Sequence, residues 1–151
     1  MERTLVLLKP DAVQRGLIGA IIGRLEARGL KIVGMKLLRM TPALARRHYQ
    51  AHVAKPFYAG LEAFITSGPL VALAVEGEAA VEAVRRTIGE TDPQKAAPGT
   101  IRGDLAVDIG RNLVHGSDSA EAAKQELALF FAEGELVAFP RELDRWITER
   151  G

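Results

Sequence analysis

The sequence contains no cysteine, which excludes a disulfide framework and thiolate metal sites. Aromatic residues make up only 5% of it, so a core must be filled with aliphatic side chains and alanine. No apolar stretch reaches the roughly 18 residues of a membrane-spanning helix. Lys9-Pro10-Asp11 interrupts the first apolar run too early for a signal peptide, and the expected location is cytoplasmic. An excess of charge is also missing. Twenty Lys+Arg stand against 19 Asp+Glu, a net charge of +1, so neither nucleic acid nor a membrane surface is expected as the primary partner. There is no GxxxxGK[ST] loop and no GxGxxG, which removes a Walker-type phosphate site and the usual dinucleotide signal. Any phosphate binding must come from a local arrangement of cations.

What is present suits one globular domain spanning residues 1–151. Hydrophobic residues make up 48% and charged residues 26%. A chain of this length buries about 68–70% of its unfolded surface. Residues 4–8 form a short apolar run that predicts a buried strand, ended by Pro10. Ile18, Ile21, Ile22 and Leu25 share one face of a predicted helix that Gly29 ends. Residues 30–40 predict a second strand, weakened at Gly34. Thr41-Pro42 is a helix start, with Thr as N-cap and Pro at the first position; this helix should carry His48 and Tyr49. A break at Pro56 precedes a short helix over 57–66. Gly68-Pro69 leads to a third strand over 70–75, and a helix follows over 78–88. Residues 89–112 have little periodicity and predict a long loop, a feature usually tied to function. Leu113-Val114-His115 predicts the fourth strand. Asp118 or Ser119 caps a last helix through about residue 131, and the tail from 133 predicts irregular structure.

This order permits two architectures. An antiparallel sheet with helices on one face would be an α+β, ferredoxin-like sandwich. The same alternation suits a parallel α/β sheet, and periodicity alone leaves both open.

The candidate chemistry lies in a few polar residues. The chain has three histidines, His48, His52 and His115. His48 and His52 could share a helical face, but a metal site would need a third ligand, and no HExxH is present. His115 sits at a strand end before Gly116-Ser117-Asp118, where a reactive group is readily presented. Ser117 supplies a hydroxyl, and Glu126 on the next helix could orient the ring. Uncharged imidazole is a competent nucleophile at neutral pH. Local features leave His115 open as a nucleophile or a structural residue. Lys9, Arg85, Arg102 and Arg111 either solvate the surface or converge on a polyphosphate, for which the planar guanidinium is well suited. Thr91 and Tyr49 could add hydroxyl donors. Phe57 is either a core residue or, beside a cleft, a platform for a base.

Asn112-Leu113-Val114-His115-Gly116-Ser117-Asp118 closely resembles the N-x-x-H-G-S-D signature of nucleoside diphosphate kinases. Lys9-Pro10-Asp11, His48-Tyr49, Lys55-Pro56-Phe57-Tyr58, Ser67-Gly68-Pro69, Gly89-Glu90-Thr91 and Pro98-Gly99-Thr100-Ile101-Arg102-Gly103-Asp104 resemble that family in order and spacing, across nearly the whole chain. The resemblance implies a ferredoxin-like βαββαβ sandwich: a four-stranded antiparallel sheet with helices, an inserted helical hairpin and a long functional loop. It implies a ping-pong transfer of the γ-phosphate through a phosphorylated His115, with low base specificity. It implies that Lys9, Tyr49, Arg85, Thr91, Arg102 and Asn112 bind phosphate and ribose, and that Phe57 and Ile109 flank the base. Glu126 and Ser117 would orient the histidine and assist transfer. Mg²⁺ would arrive on the nucleotide, with Asp118 touching it through water. The family also implies a homo-hexamer or homo-tetramer. Ile109 is slightly larger than the valine common at its position, and Arg46-Arg47 replace acidic residues common in that helix.

Overall fold

Leu5, Val6, Leu7 and Leu8 are all fully buried, so the strand that holds them has no solvent-facing side. In the computed structural model, which describes residues 1–150, this is strand β1, Glu2–Leu8. It joins β2, Lys31–Arg39, β3, Pro69–Gly77, and β4, Val114–Gly116, in one sheet of order β2-β3-β1-β4. Each pairing is antiparallel. The helices are α1, Pro10–Gln14, α2, Ile18–Ala27, α3, Pro42–His48, α4, Tyr58–Ile65, α5, Ala80–Ile88, α6, Ile101–Leu105, and α7, Ala120–Phe130. This is the ferredoxin-like α+β sandwich, with the α3–α4 pair inserted between β2 and β3.

Helices cover both faces of the sheet, not one. Ile21 and Leu25 of α2 and Val84 and Ile88 of α5 pack with Val6, Leu8, Val71, Leu73 and Val75. On the other face, Ala45 of α3, Ile65 of α4 and Leu127 and Phe130 of α7 pack with Leu5, Leu7, Ala72 and Ala74. The expectation of helices on a single face fails for a physical reason already written in the inner strands. β1 and β3 are unbroken apolar runs, and a strand with one wet face would alternate.

Several boundaries follow from local chemistry. Pro10 ends β1 and also opens the unforeseen α1 at a position where its missing N–H costs nothing. Thr41 caps α3 by accepting from Leu44 N at 3.1 Å. Ser119, not Asp118, caps α7, accepting from Ala122 N at 3.0 Å. The long loop is not structureless. It contains α6, capped by Thr100, and a 3-10 turn at Ile109–Arg111. Gly103 permits that fold-back, since a Cβ there would lie 2.0 Å from the Ala97 carbonyl oxygen. Strand β4 begins one residue later than expected, at Val114.

The tail is more ordered than its composition suggests. It forms 3-10 turns at Glu133–Glu135 and Glu142–Trp146, and Val137 N donates to Val33 O at 2.8 Å. β2 has a register irregularity between Ile32 and Gly34. A Cβ on Gly34 would meet Leu136 at 2.9 Å, Phe131 at 3.0 Å and Ala74 at 3.2 Å. The glycine thus admits the tail rather than merely weakening the strand. Gly34→Ala should destabilise the protein by about 1–3 kcal/mol, the usual cost of overpacking. Urea unfolding measures it, and a variant as stable as the parent would show that the tail moves away freely.

Candidate active site

The site is organised by one strained turn. Leu113 is buried with φ at +72°, an unfavourable value for a branched, non-glycine residue. Val114 N donates to Asn112 O at 2.8 Å, closing a γ-turn around Leu113. Three neighbours hold it. Leu113 N donates to the buried Asp11 Oδ2 at 3.0 Å, Lys9 N donates to Leu113 O at 2.8 Å, and Leu8 pairs with Val114 across the sheet. Such strain costs about 1–3 kcal/mol and persists only where surroundings over-determine it. The turn sets Asn112 toward Lys9 and puts His115 on β4, opposite Leu7.

His115 therefore lies on the α3/α7 face. Glu126 Oε1 lies 2.8 Å from His115 Nε2 and accepts the Ser117 hydroxyl at 2.7 Å. Burial pushes the Glu126 carboxyl up, but the hydrogen bonds from His115 and Ser117 outweigh it and its pKa falls below the ordinary value. An ionised carboxylate only accepts, so in the neutral ring Nε2 carries the proton and the lone pair falls to Nδ1. The His48 ring packs edge-on against His115 at 4.8 Å between centroids, and against Phe130 at 5.4 Å. Burial, and then the neighbouring His115, lower the His48 pKa to about 4. The Tyr49 phenol is pushed up to about 12, chiefly by burial, so it remains a donor.

A cationic group lies beside it. Lys9 Nζ donates to Asn112 Oδ1, and Asn112 Nδ2 donates to Thr91 O at 2.9 Å. Arg102 is 7% exposed and donates to the carbonyls of Asn112 at 3.2 Å, Gly89 at 3.0 Å and Val114 at 2.6 Å. These bonds use three of about five guanidinium donors and leave the rest for a ligand. Burial, then repulsion from Arg85, lower the Arg102 pKa to about 10, so it remains a cation at neutral pH. Arg85 donates to Gly116 O at 3.1 Å, next to His115. Lys9 is lowered to about 8 by burial and by Arg102 and Arg111, against the pull of Asp11.

The remaining expected residues lie outside this hydrogen-bonded set. Phe57, at the start of α4, is 55% exposed, and Ile109 is 56% exposed. Asp118 is exposed and lines a hollow of about 680 Å³ with Arg85 and Thr100. His52 does not share a helical face with His48, because α3 ends at His48; its Nδ1 lies 3.1 Å from Lys55 Nζ. Two contributors escaped sequence reading. Asp11 stood within a quoted motif with no role attached, and Phe64 lies under the Arg111 guanidinium at 4.2 Å. Their roles depend on partners distant in sequence.

Comparison with known proteins agrees with this geometry. The family profile described as Nucleoside diphosphate kinase matches residues 2–136. The chain belongs to the nucleoside diphosphate kinase family. A nucleoside diphosphate kinase from Herpetosiphon aurantiacus is 59% identical over 149 residues, covering 99% of this chain and 100% of that one. One from Archaeoglobus fulgidus is 53% identical, covering 99% of each chain. The structure of a halophilic nucleoside diphosphate kinase from Halobacterium salinarum in complex with CDP superposes with a TM-score of 0.95. It is 53% identical and covers 97% of this chain and 98% of that one. Nucleoside diphosphate kinase activity, a phosphotransfer, is the function this membership supports. No helix among the described residues is long and apolar enough to cross a membrane.

Two outcomes test this kinase's site. Asp11→Ala removes the buried acceptor of Leu113 N and should cost about 1–3 kcal/mol of stability, read by urea unfolding. An unchanged midpoint would mean that the γ-turn does not need Asp11. For Lys9, a bound anion favours the charged amine. At pH values above about 8, ADP binding should therefore take up a proton that it does not take up at pH 7. Calorimetry in buffers of different ionisation enthalpy measures this, and Lys9→Met should abolish it. Proton-neutral binding by the parent at pH 9 would place the phosphates away from Lys9.

Proposed function

We propose that this chain transfers the terminal phosphate of a nucleoside triphosphate to a nucleoside diphosphate in two half-reactions through His115. The observation that carries the reading is the bond between Glu126 Oε1 and His115 Nε2. It leaves Nδ1 with the unshared pair, on the ring edge away from the carboxylate. Nδ1 attacks the γ-phosphorus, an N–P bond forms, the bond from phosphorus to the bridging oxygen breaks, and the diphosphate leaves. The ring then carries positive charge, which the ionised Glu126 offsets. A second diphosphate reverses the step.

Phosphoryl transfer depends mostly on positioning and on neutralising charge spread over the equatorial oxygens. Lys9, Arg85, Arg102 and Asn112 would hold the phosphates, with hydroxyls from Tyr49 and Thr91. Ser117 shares Glu126 Oε1 with His115 and limits how far that carboxylate can turn. Phe57 and Ile109 would sandwich the base. A stacking contact accepts every base, so low base specificity follows. The CDP bound by the Halobacterium salinarum relative supports a diphosphate as occupant. Mg²⁺ when bound supplies charge neutralisation on the phosphates. One exposed carboxylate, Asp118, fits an ion that keeps most of its water and arrives with the nucleotide. The same reading takes residues 1–151 as one domain in the cytoplasm and the protein as a homo-tetramer or homo-hexamer. The outer edge of β2 beyond Val33, with Met35 and Leu37 exposed, supports self-association.

Incubation with γ-labelled ATP and Mg²⁺ should give an acid-labile phosphoprotein whose label moves to added GDP. His115→Ala should take no label, and transfer by that variant would defeat the mechanism. Glu126→Gln should label at least about 100-fold more slowly, the scale expected for a positioned acid–base group. Label lost only to water would indicate a phosphatase instead.

A further inference from the structure

The His115–Glu126 pair sits beside a third ligand-bearing side chain, His48. His48, His115 and Glu126 each offer one ligand atom, and these atoms lie within 4.8 Å of one another. Zinc at its ordinary bond lengths holds tetrahedral ligands about 3.3 Å apart. The His115–Glu126 separation of 2.8 Å is already close to that value, and His48 needs a modest approach. His48 supplies the second observation. Both its ring nitrogens are buried and have no hydrogen-bond partner among the described residues. Buried polar atoms are rarely left in that state.

We propose that His48, His115 and Glu126 form an inhibitory site for a borderline divalent transition ion, zinc being the best match, whose occupation switches off phosphoryl transfer. This rests on the reading of His115 as the nucleophile. Two imidazoles and one carboxylate are a zinc-type donor set, with a fourth position left for water. The switch follows from proton count. Neutral His115 has one ring proton, held on Nε2 by Glu126. An ion bound to Nε2 takes that nitrogen's lone pair, and the ring proton moves through solvent to Nδ1. The ring remains neutral and no electron is transferred, but Nδ1 no longer has an unshared pair to attack phosphorus. Mg²⁺ prefers oxygen ligands and octahedral geometry, so it does not compete for this site.

The test uses the full chain in two steps. First, Co²⁺ or Zn²⁺ is titrated calorimetrically without nucleotide into the parent, into His48→Phe, and into His52→Ala as a surface control. Phenylalanine keeps the aromatic packing with Phe130 and lacks a ligand; His48→Ala is a second variant should the first not fold. The parent and His52→Ala should bind one equivalent, and Co²⁺ should give the visible bands of a four-coordinate site. Loss of His48 should weaken binding at least about tenfold. Second, labelling by Mg²⁺-ATP is followed with and without Zn²⁺. Zinc should suppress the parent and His52→Ala, and whatever activity His48→Phe retains should be insensitive to it. Equal binding by the His48 variants, or labelling undiminished by a bound ion, would overturn the proposal. So would equal inhibition of all variants, which would put zinc on the nucleotide. A failure of His115 to label from Mg²⁺-ATP in the absence of Zn²⁺ would instead strike the nucleophile reading, because the binding step is measured independently of it.

Discussion

One carboxylate oxygen connects the chemistry of this protein to its packing. Glu126 Oε1 meets both His115 Nε2 and the Ser117 hydroxyl, so a strand, a turn and a helix share one acceptor. The hydrogen bond can exist only if α7 lies against β1 and β4, with Leu127 and Phe130 seated among Leu5, Leu7 and Ala74. Ser119 fixes where that helix begins, which sets the turn on which Glu126 falls. The core therefore determines which ring nitrogen of His115 holds its proton, and through it which nitrogen is nucleophilic in the proposed reaction.

The cationic side is built by the same economy. Arg102 is buried where it ties the two ends of the loop, at the Gly89 and Asn112 carbonyls, to β4 at the Val114 carbonyl, and its charge at the site accompanies that bracing. Lys9 leaves β1 just as Asp11 secures the γ-turn at Leu113. Strain at Leu113 is stable because both flanking segments hold it. Stability and the proposed function thus use the same bonds here. A loop of 24 or so residues would be a liability if it were free, but α6 and the Ile109–Arg111 turn make it part of the scaffold.

Much of this was legible beforehand, for reasons specific to each element. Thr41-Pro42 marked α3 because capping is a local matter between neighbouring residues. The helices over 18–27 and 80–88 were visible in apolar spacing, and the one over 58–65 in the breaks at Pro56 and Gly68-Pro69 that bound it. The pairing of His115 with Glu126 and Ser117 was expected and the three do meet. Helix α1 was missed because Pro10 reads equally as a strand stop and a helix start. The order of the tail was missed because its partners, Val33 and Gly29 to Leu30, are about a hundred residues away.

The sequence by itself determined the short-range features: caps, breaks, apolar faces and which side chains are candidates for the chemistry. Those depend on residues within a helical turn of one another, where spacing is geometry. Its unbroken apolar runs also required a sheet covered on both faces, although the element order alone left its direction open. Only the tertiary structure decided which cations brace the backbone around β4 and which stay in solvent. It alone placed His48 against His115 while leaving His52 at the surface, although the two are four residues apart. Burial, and with it the lowered pKa values of Lys9 and His48, arises from elements that meet only when the chain is folded.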